Sequence, residues 1–251
     1  MEYPKLKTNP ILESVAEIRF DANFPDDIVV ALIFKSLSTS DEFKDYAQIP
    51  QPVMQMPAEI RKVDPNLKFQ PYYVLSKNNF SIGIGAHILQ FFYRQPYISF
   101  RSFEEFIKSG LDLIDDSILR EINQINLRYV NKIDDSLAEA TDFKLQCASG
   151  LVKNDDKINV NIESNIDANT KIILNLNNRS ANVTINANGK VEKFDNVSII
   201  SVSAICTGEK EMSTFKDKKI YDIFGKLHDN THDVFFRLVD NDYYRIKKFG
   251  N

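Results

Sequence analysis

Two histidines late in the chain have a spacing that could place a metal ion. His228 and His232 stand four positions apart in a segment predicted to be helical, so both imidazoles would lie on one face of the helix. Asp229 and Asp233 follow them, whereas the zinc-protease pattern requires a glutamate directly after the first histidine. We expect His228 to pack beside the core without a metal. A metal-dependent hydrolase or nuclease built on these two histidines is the alternative.

A second set of candidate residues consists of Arg128, Tyr129 and Asn131, in a segment whose apolar residues alternate as in a strand. Alternation places Arg128 and Val130 on one face and Leu127, Tyr129 and Asn131 on the other. If Tyr129 and Asn131 face inward, both need hydrogen-bond partners. The group is therefore either a buried polar network that fixes the strand or part of a site for a ligand or partner.

Two glycines complete the candidate binding residues. Gly83 and Gly85 share one face of a predicted strand, opposite Ile82 and Ile84, and such glycines allow a helix or a ligand to approach closely. Their spacing matches neither a dinucleotide-binding nor a phosphate-binding loop. His87, which follows them, is expected to be structural.

The last part of the chain combines aromatic rings with cations, at Tyr243, Tyr244, Arg245, Lys247 and Lys248. Single-strand nucleic-acid binders use this pairing, but cations also stabilise the carboxyl end of a helix. The formal net charge of −4 argues against a general nucleic-acid binder, whose surface is usually basic. Nucleic-acid binding is therefore a third and weaker hypothesis.

The remaining composition is that of a globular protein with no cofactor motif. Of the 251 residues, 43% are hydrophobic and 26% are charged. Cys147 and Cys206 match no metal-binding spacing, so we expect two reduced thiols. The first residues lack the form of a signal peptide, and no apolar run approaches the ~20 residues that span a bilayer. We therefore predict a cytoplasmic protein that binds neither a cofactor nor a membrane.

Periodicity predicts an α+β fold. In the first half, strands and helices alternate in the βαββαβ order of ferredoxin-like folds: a strand Ile11–Phe20, a helix from Pro25 to Ser38, strands Tyr72–Ser76 and Phe80–Arg94, a helix opening at Ser102, and a strand Ile125–Asn131. Apolar parity shifts within the fourth of these elements, which predicts a bulge near His87–Leu89.

The second half is predicted to form an Asn-rich antiparallel meander covered by a helix over Asp217–Val239. Two subdomains, 1–135 and 136–251, would pack as one unit. The long Asp41–Gln70 connection contains four prolines; it is either functional or a wrap over the edge of the sheet.

Several motifs together resemble one family. They are Tyr3-Pro-x-Leu6, Asn9-Pro-Ile-x-Glu13, Glu17-Ile-Arg-Phe20, Ile82-Gly-Ile-Gly85 with Tyr97, Phe103-Glu-Glu-Phe, Leu127-Arg-Tyr-Val-Asn131, and His228 with Phe235. They are similar to an uncharacterised prokaryotic family of about this length that is sporadically distributed. Phe103 replaces a tryptophan expected from that family, and the Asn-rich meander is atypical of it.

The resemblance carries no established activity. It implies a role that depends on a partner, in a mobile-element, defence or toxin–antitoxin-like system. The leading hypothesis is therefore a non-enzymatic binding or interaction protein whose partner is another protein or a second copy of the chain.

Overall fold

A computed structural model describes residues 9–133, 159–179, 184–185, 191–192, 197–207 and 214–239. These residues form a mixed helix-and-strand structure with a large antiparallel sheet and a last described helix packed on it. The predicted α+β class is therefore confirmed at this level.

Nine strands form one sheet in the order β2-β3-β4-β5-β1-β6-β11-β8-β7, and β9 and β10 pair separately. The strands are β1 (Ile11–Ala22), β2 (Ala47–Pro50), β3 (Tyr73–Lys77), β4 (Phe80–Ile84), β5 (Ile88–Arg94), β6 (Leu119–Ile133), β7 (Asn159–Asn165), β8 (Thr170–Arg179), β9 (Thr184–Ile185), β10 (Val191–Glu192) and β11 (Val197–Thr207).

Three of the described helices are longer than two turns, and all three lie on the same face of the sheet. The helices are α1 (Asp26–Ser38), α2 (Ala58–Val63), α3 (Pro65–Lys68), α4 (Phe100–Asp112) and α5 (Lys218–Leu238). Phe34 of α1 packs on Tyr73, Phe106 of α4 on Phe91, and His228 of α5 on Tyr129. We call this the covered face and the opposite side the open face.

β1 forms the centre of the first half of the sheet, because it pairs antiparallel with both β5 and β6. Ala16, Ile18 and Phe20 are fully buried on the covered face. Glu13 and Glu17 point to the open face, as their alternation predicts. The prediction that β1 and β6 share a sheet with the hairpin strands is confirmed.

The predicted single strand Phe80–Arg94 is wrong, because the chain reverses inside it. β4 and β5 are separate strands that pair with each other, with Ile84 opposite Leu89. The parity shift that suggested a bulge is therefore a hairpin turn through Gly85, Ala86 and His87. This extra strand, together with β2, departs from the βαββαβ order, so the ferredoxin-like arrangement is not confirmed.

His87 lies in that turn, next to two carboxylates of neighbouring elements. Its Nδ1 is 3.7 Å from Asp21 and 3.2 Å from the carbonyl oxygen of Phe20, and its Nε2 is 3.4 Å from Asp26. These contacts join the hairpin turn to the end of β1 and the first turn of α1. They are consistent with the structural role that was expected for this histidine.

The preceding hairpin turn has a local sequence explanation. Lys77 pairs with Phe80, so Asn78 and Asn79 alone connect β3 to β4. Asn78 has a positive φ of 53°, and asparagine accepts the left-handed region more readily than most residues. The hairpin therefore connects the ends of the two predicted strands Tyr72–Ser76 and Phe80–Arg94.

The connection from Asp41 to Gln70 reaches the edge of the sheet. β2 pairs with β3 as an exposed edge strand. Within the same connection, Pro52–Gln55 forms a 3-10 turn and α2 follows Pro57.

The sheet continues from the first half of the chain into the second. β11 pairs with β6 from Ser198 opposite Ile133 to Thr207 opposite Gln124, and β8 and β7 follow. The boundary proposed at residues 135 and 136 therefore does not divide two sheets. α5 packs against both β6 and β11 and covers this junction.

α4 begins two residues before the predicted start. Ser99 is the N-cap, and its hydroxyl accepts a hydrogen bond from the Ser102 amide at 3.1 Å. Gly110 brings the helix close to the sheet, since a Cβ there would lie 2.5 Å from the Phe91 ring. Ser102 is therefore inside the helix and is not its cap.

Candidate binding surface and buried polar network

The centre of the open face is built from three neighbouring strands. β1 contributes Glu13, Glu17 and Arg19 on this side, and the antiparallel pairing places side chains of β5 and β6 next to them. Glu17 lies between Gln90 on β5 and Asn126 on β6, and Glu13 is paired with Arg94. The surface therefore depends on the register of strands that are far apart in sequence.

Glu17 is the centre of the first cluster. Its carboxylate accepts hydrogen bonds from Arg19 Nε at 2.6 Å, Asn126 Nδ2 at 2.8 Å and Gln90 Nε2 at 2.8 Å. Its side chain is only 12% exposed. A buried charge must be paired and hydrogen-bonded to be tolerated, and these three donors meet that requirement. The Arg19 guanidinium also lies 4.6 Å from the centre of the Phe69 ring.

Glu13 holds the second cluster, which is more open to solvent. Arg94 Nε lies 3.0 Å from one Glu13 carboxylate oxygen, and a terminal guanidinium nitrogen of Arg128 lies 4.0 Å from the other. Both arginine side chains are nearly half exposed, at 47% and 46%. The Arg94 guanidinium lies 5.3 Å from the Phe92 ring centre and donates to Ser81 at 3.0 Å. Arg94 is therefore held by several contacts, Arg128 makes a longer one, and both remain accessible.

The space next to Gly83 and Gly85 is filled by other residues of the chain. A Cβ on Gly83 would lie 3.3 Å from the side chain of Pro71, and one on Gly85 would lie 2.6 Å from the Gln70 carbonyl oxygen. The close approach that these glycines were expected to allow is therefore made by the end of the Asp41–Gln70 connection and the residue that follows it.

A second polar arrangement lies inside the protein, between the sheet and the helices. The Tyr129 hydroxyl is 3.0 Å from His228 Nδ1 and 3.4 Å from the Tyr97 hydroxyl. The Phe100 ring stacks on His228 at 4.2 Å between centroids. The structure thus brings together Tyr129 and His228, which the sequence analysis treated as separate candidates.

Burial determines the protonation states in this network. Desolvation raises the pKa of Tyr97 to about 12 and that of Tyr129 well above its usual value. Desolvation, with the nearby His232, lowers the pKa of His228 to about 4. These shifts favour the neutral forms of all three side chains, namely two phenols and an imidazole. Among the residues that the structure describes, the fully buried Ser14 hydroxyl has no hydrogen-bond partner.

The two histidines lie side by side without completing a metal site in the described part of the chain. The ring centroids of His228 and His232 are 5.7 Å apart, and burial lowers the pKa of both imidazoles. No group of three or more His, Cys, Asp or Glu residues that could hold a metal occurs among the residues that the structure describes.

Asn131 is buried on the same face as Tyr129, as their spacing predicts. Its side-chain amide donates to the Ile200 carbonyl oxygen on β11 at 3.2 Å. Arg128 lies on the opposite, open face. The three polar residues that were grouped by sequence are therefore divided between two environments, and only Arg128 belongs to the accessible surface.

The basic-aromatic residues from Tyr243 to Lys248, and Cys147, lie outside the described residues. Cys206 is a buried cysteine. Gln90 and Asn126 were not predicted as site residues, and Tyr97 was named only as part of a motif, because local sequence does not show which side chains lie next to them.

Comparisons with known proteins give no relative for this chain. Family models, curated proteins and solved structures all return no match. No helix in the described part of the chain is long and apolar enough to cross a membrane.

Proposed function

We propose that the protein is a non-enzymatic interaction protein that binds a protein partner through the open face of its sheet. The observation that carries this proposal is the pair of half-exposed arginines, Arg94 and Arg128, held by Glu13 beside Phe92. Arginine and aromatic side chains are enriched where protein interfaces carry most of their binding energy.

The order of these side chains before binding also supports the proposal. Ordering a long side chain at an interface costs roughly 0.5–1.5 kcal/mol, and the contacts of Arg94 reduce that cost. The adjacent Glu17 cluster adds polar side chains that three hydrogen bonds to the Glu17 carboxylate hold in place. The resemblance described above implies a partner-dependent role, and we extend the proposal to a mobile-element, defence or toxin–antitoxin-like system.

The two alternatives have less support. A metal-dependent hydrolase or nuclease would use His228 and His232, but Nδ1 of His228 already contacts Tyr129. Single-stranded nucleic-acid binding would use the segment from Tyr243 to Lys248, and the net charge of −4 opposes it.

The test is affinity purification of the tagged full chain from its native host, followed by quantitative mass spectrometry. The perturbation is the Arg94→Ala/Arg128→Ala double variant. The matched control is Arg101→Ala/Arg237→Ala, which removes two exposed arginines from helices α4 and α5, where they pair with acids four residues away.

We expect one protein to co-purify with both the wild type and the control variant. Its recovery should fall at least tenfold with the Arg94→Ala/Arg128→Ala variant. A partner recovered equally by all three proteins would contradict the proposed surface. Circular dichroism of each variant establishes that the fold is retained.

A further inference from the structure

The outer side of α1 is apolar although it faces solvent. Phe24, just before the helix, and Ile28 and Leu32 within it are 40%, 48% and 38% exposed. Residues four apart form one row along a helix, so Ile28 and Leu32 make an apolar ridge, and Phe24 stands just before the helix that carries it. The opposite side of α1 is buried through Val29, Val30, Ile33 and Leu37. α1 therefore carries apolar side chains on two sides, and an exposed apolar side of a helix favours packing against another surface.

A second row runs beside this ridge and is composed of Asp27, Ala31 and Lys35. All three are exposed. Asp27 lies four residues before Ala31 and Lys35 four residues after it, so opposite charges stand about 6 Å on either side of a small side chain. Asp27 makes a long contact of 3.7 Å with Arg61, and its side chain is 76% exposed.

This arrangement is complementary to itself. When two copies of a helix pack antiparallel about a two-fold axis, residues at equal distances before and after the central position face each other. With Ala31 at the axis, Asp27 of each copy would face Lys35 of the other. The small side chain of Ala31 lets the helices approach closely, and the ridges of Phe24, Ile28 and Leu32 would be removed from water.

We propose that the chain forms a two-fold homodimer through antiparallel packing of α1 against α1 of a second copy. The interface uses a different surface from the open face, so its test is independent of the proposed function. One short helix offers less area than the ~800 Å² per partner of a standard interface. We therefore expect a dissociation constant on the order of micromolar.

Charge exchange tests the pairing without disturbing the core. Asp27→Lys gives the α1 face two positive charges, and Lys35→Asp gives it two negative charges. Each single variant should dimerise at least tenfold more weakly than the wild type in sedimentation equilibrium. An equimolar mixture of the two should form heterodimers, because every facing pair is then of opposite sign. The Asp27→Lys/Lys35→Asp double variant should recover self-association.

Two further variants complete the experiment. Leu32→Glu places a charge in the apolar ridge and should abolish dimers. Arg101→Glu, a charge reversal on exposed α4, should leave association unchanged. Wild-type protein that stays monomeric to several hundred micromolar would overturn the proposal, as would dimers insensitive to the α1 variants. Dimers weakened by the single variants without heterodimer formation in the mixture would also refute the Asp27–Lys35 pairing.

Discussion

The buried imidazole of His228 should make the stability of the fold depend on pH. Its pKa is about 4 in the folded protein, chiefly because of desolvation, against about 6.5 in an unfolded chain. Between these values the unfolded state binds more protons than the folded state. The stabilisation is therefore complete above about pH 6.5 and is lost as the pH falls toward 4.

The size of the effect follows from these two pKa values. Protonating His228 in the unfolded state at pH 5 lowers the free energy of unfolding by about 2 kcal/mol relative to pH 7.5. His228→Asn removes the titrating ring, while its amide can still form a neutral hydrogen bond with Tyr129. We expect this variant to lose about 2 kcal/mol less than the wild type between pH 7.5 and pH 5.

Urea unfolding at the two pH values, followed by circular dichroism, measures the difference. Tyr129→Phe distinguishes desolvation from hydrogen bonding as the cause of the shift. It removes the hydroxyl that lies 3.0 Å from His228 Nδ1 but leaves the imidazole buried. It should lower stability by about 1–2 kcal/mol at both pH values and keep most of the pH dependence, since desolvation is the main cause. If His228→Asn loses as much stability as the wild type on acidification, the reasoning about His228 is wrong.

Three further predictions concern packing, capping and metal. Gly110→Ala should destabilise the fold by about 1–3 kcal/mol in urea unfolding, because its Cβ would meet the buried Phe91 ring at 2.5 Å; an unchanged or higher midpoint would show that the helix can shift freely. Ser99→Ala should cost about 1 kcal/mol through loss of the α4 N-cap, and equal stability of variant and wild type would contradict that role. Elemental analysis of protein purified without a His-tag should find no stoichiometric metal; a metal lost on joint replacement of His228 and His232 by alanine would restore the hydrolase or nuclease hypothesis.

Local sequence signals determined the ends of several elements. The acids after Pro25 and the apolar spacing predicted α1, which ends at Ser38 as expected. The long last helix was predicted over Asp217–Val239, and these two residues are its N-cap and C-cap. Such features follow from interactions within a few residues, namely capping, the helix dipole and periodic burial.

Pairing between distant strands was decided only by the tertiary structure. The alternation in Phe80–Arg94 is compatible with either a bulged strand or a hairpin, because both reverse the parity of buried residues. Pairing of β6 with β11 made one sheet where the sequence suggested two. Local periodicity fixes which side of an element is buried but does not identify the element packed against it.

In the candidate sites, too, local sequence determined some features and tertiary structure decided the others. Alternation correctly placed Glu17 on the wet face of β1 and Tyr129 on the inner face of β6. The partners of these residues come from 73 and 109 positions away for Glu17 and from 99 positions away for Tyr129. The sequence by itself determined which side chains need partners, and only the register of the sheet and the packing of α5 determined which partners they have.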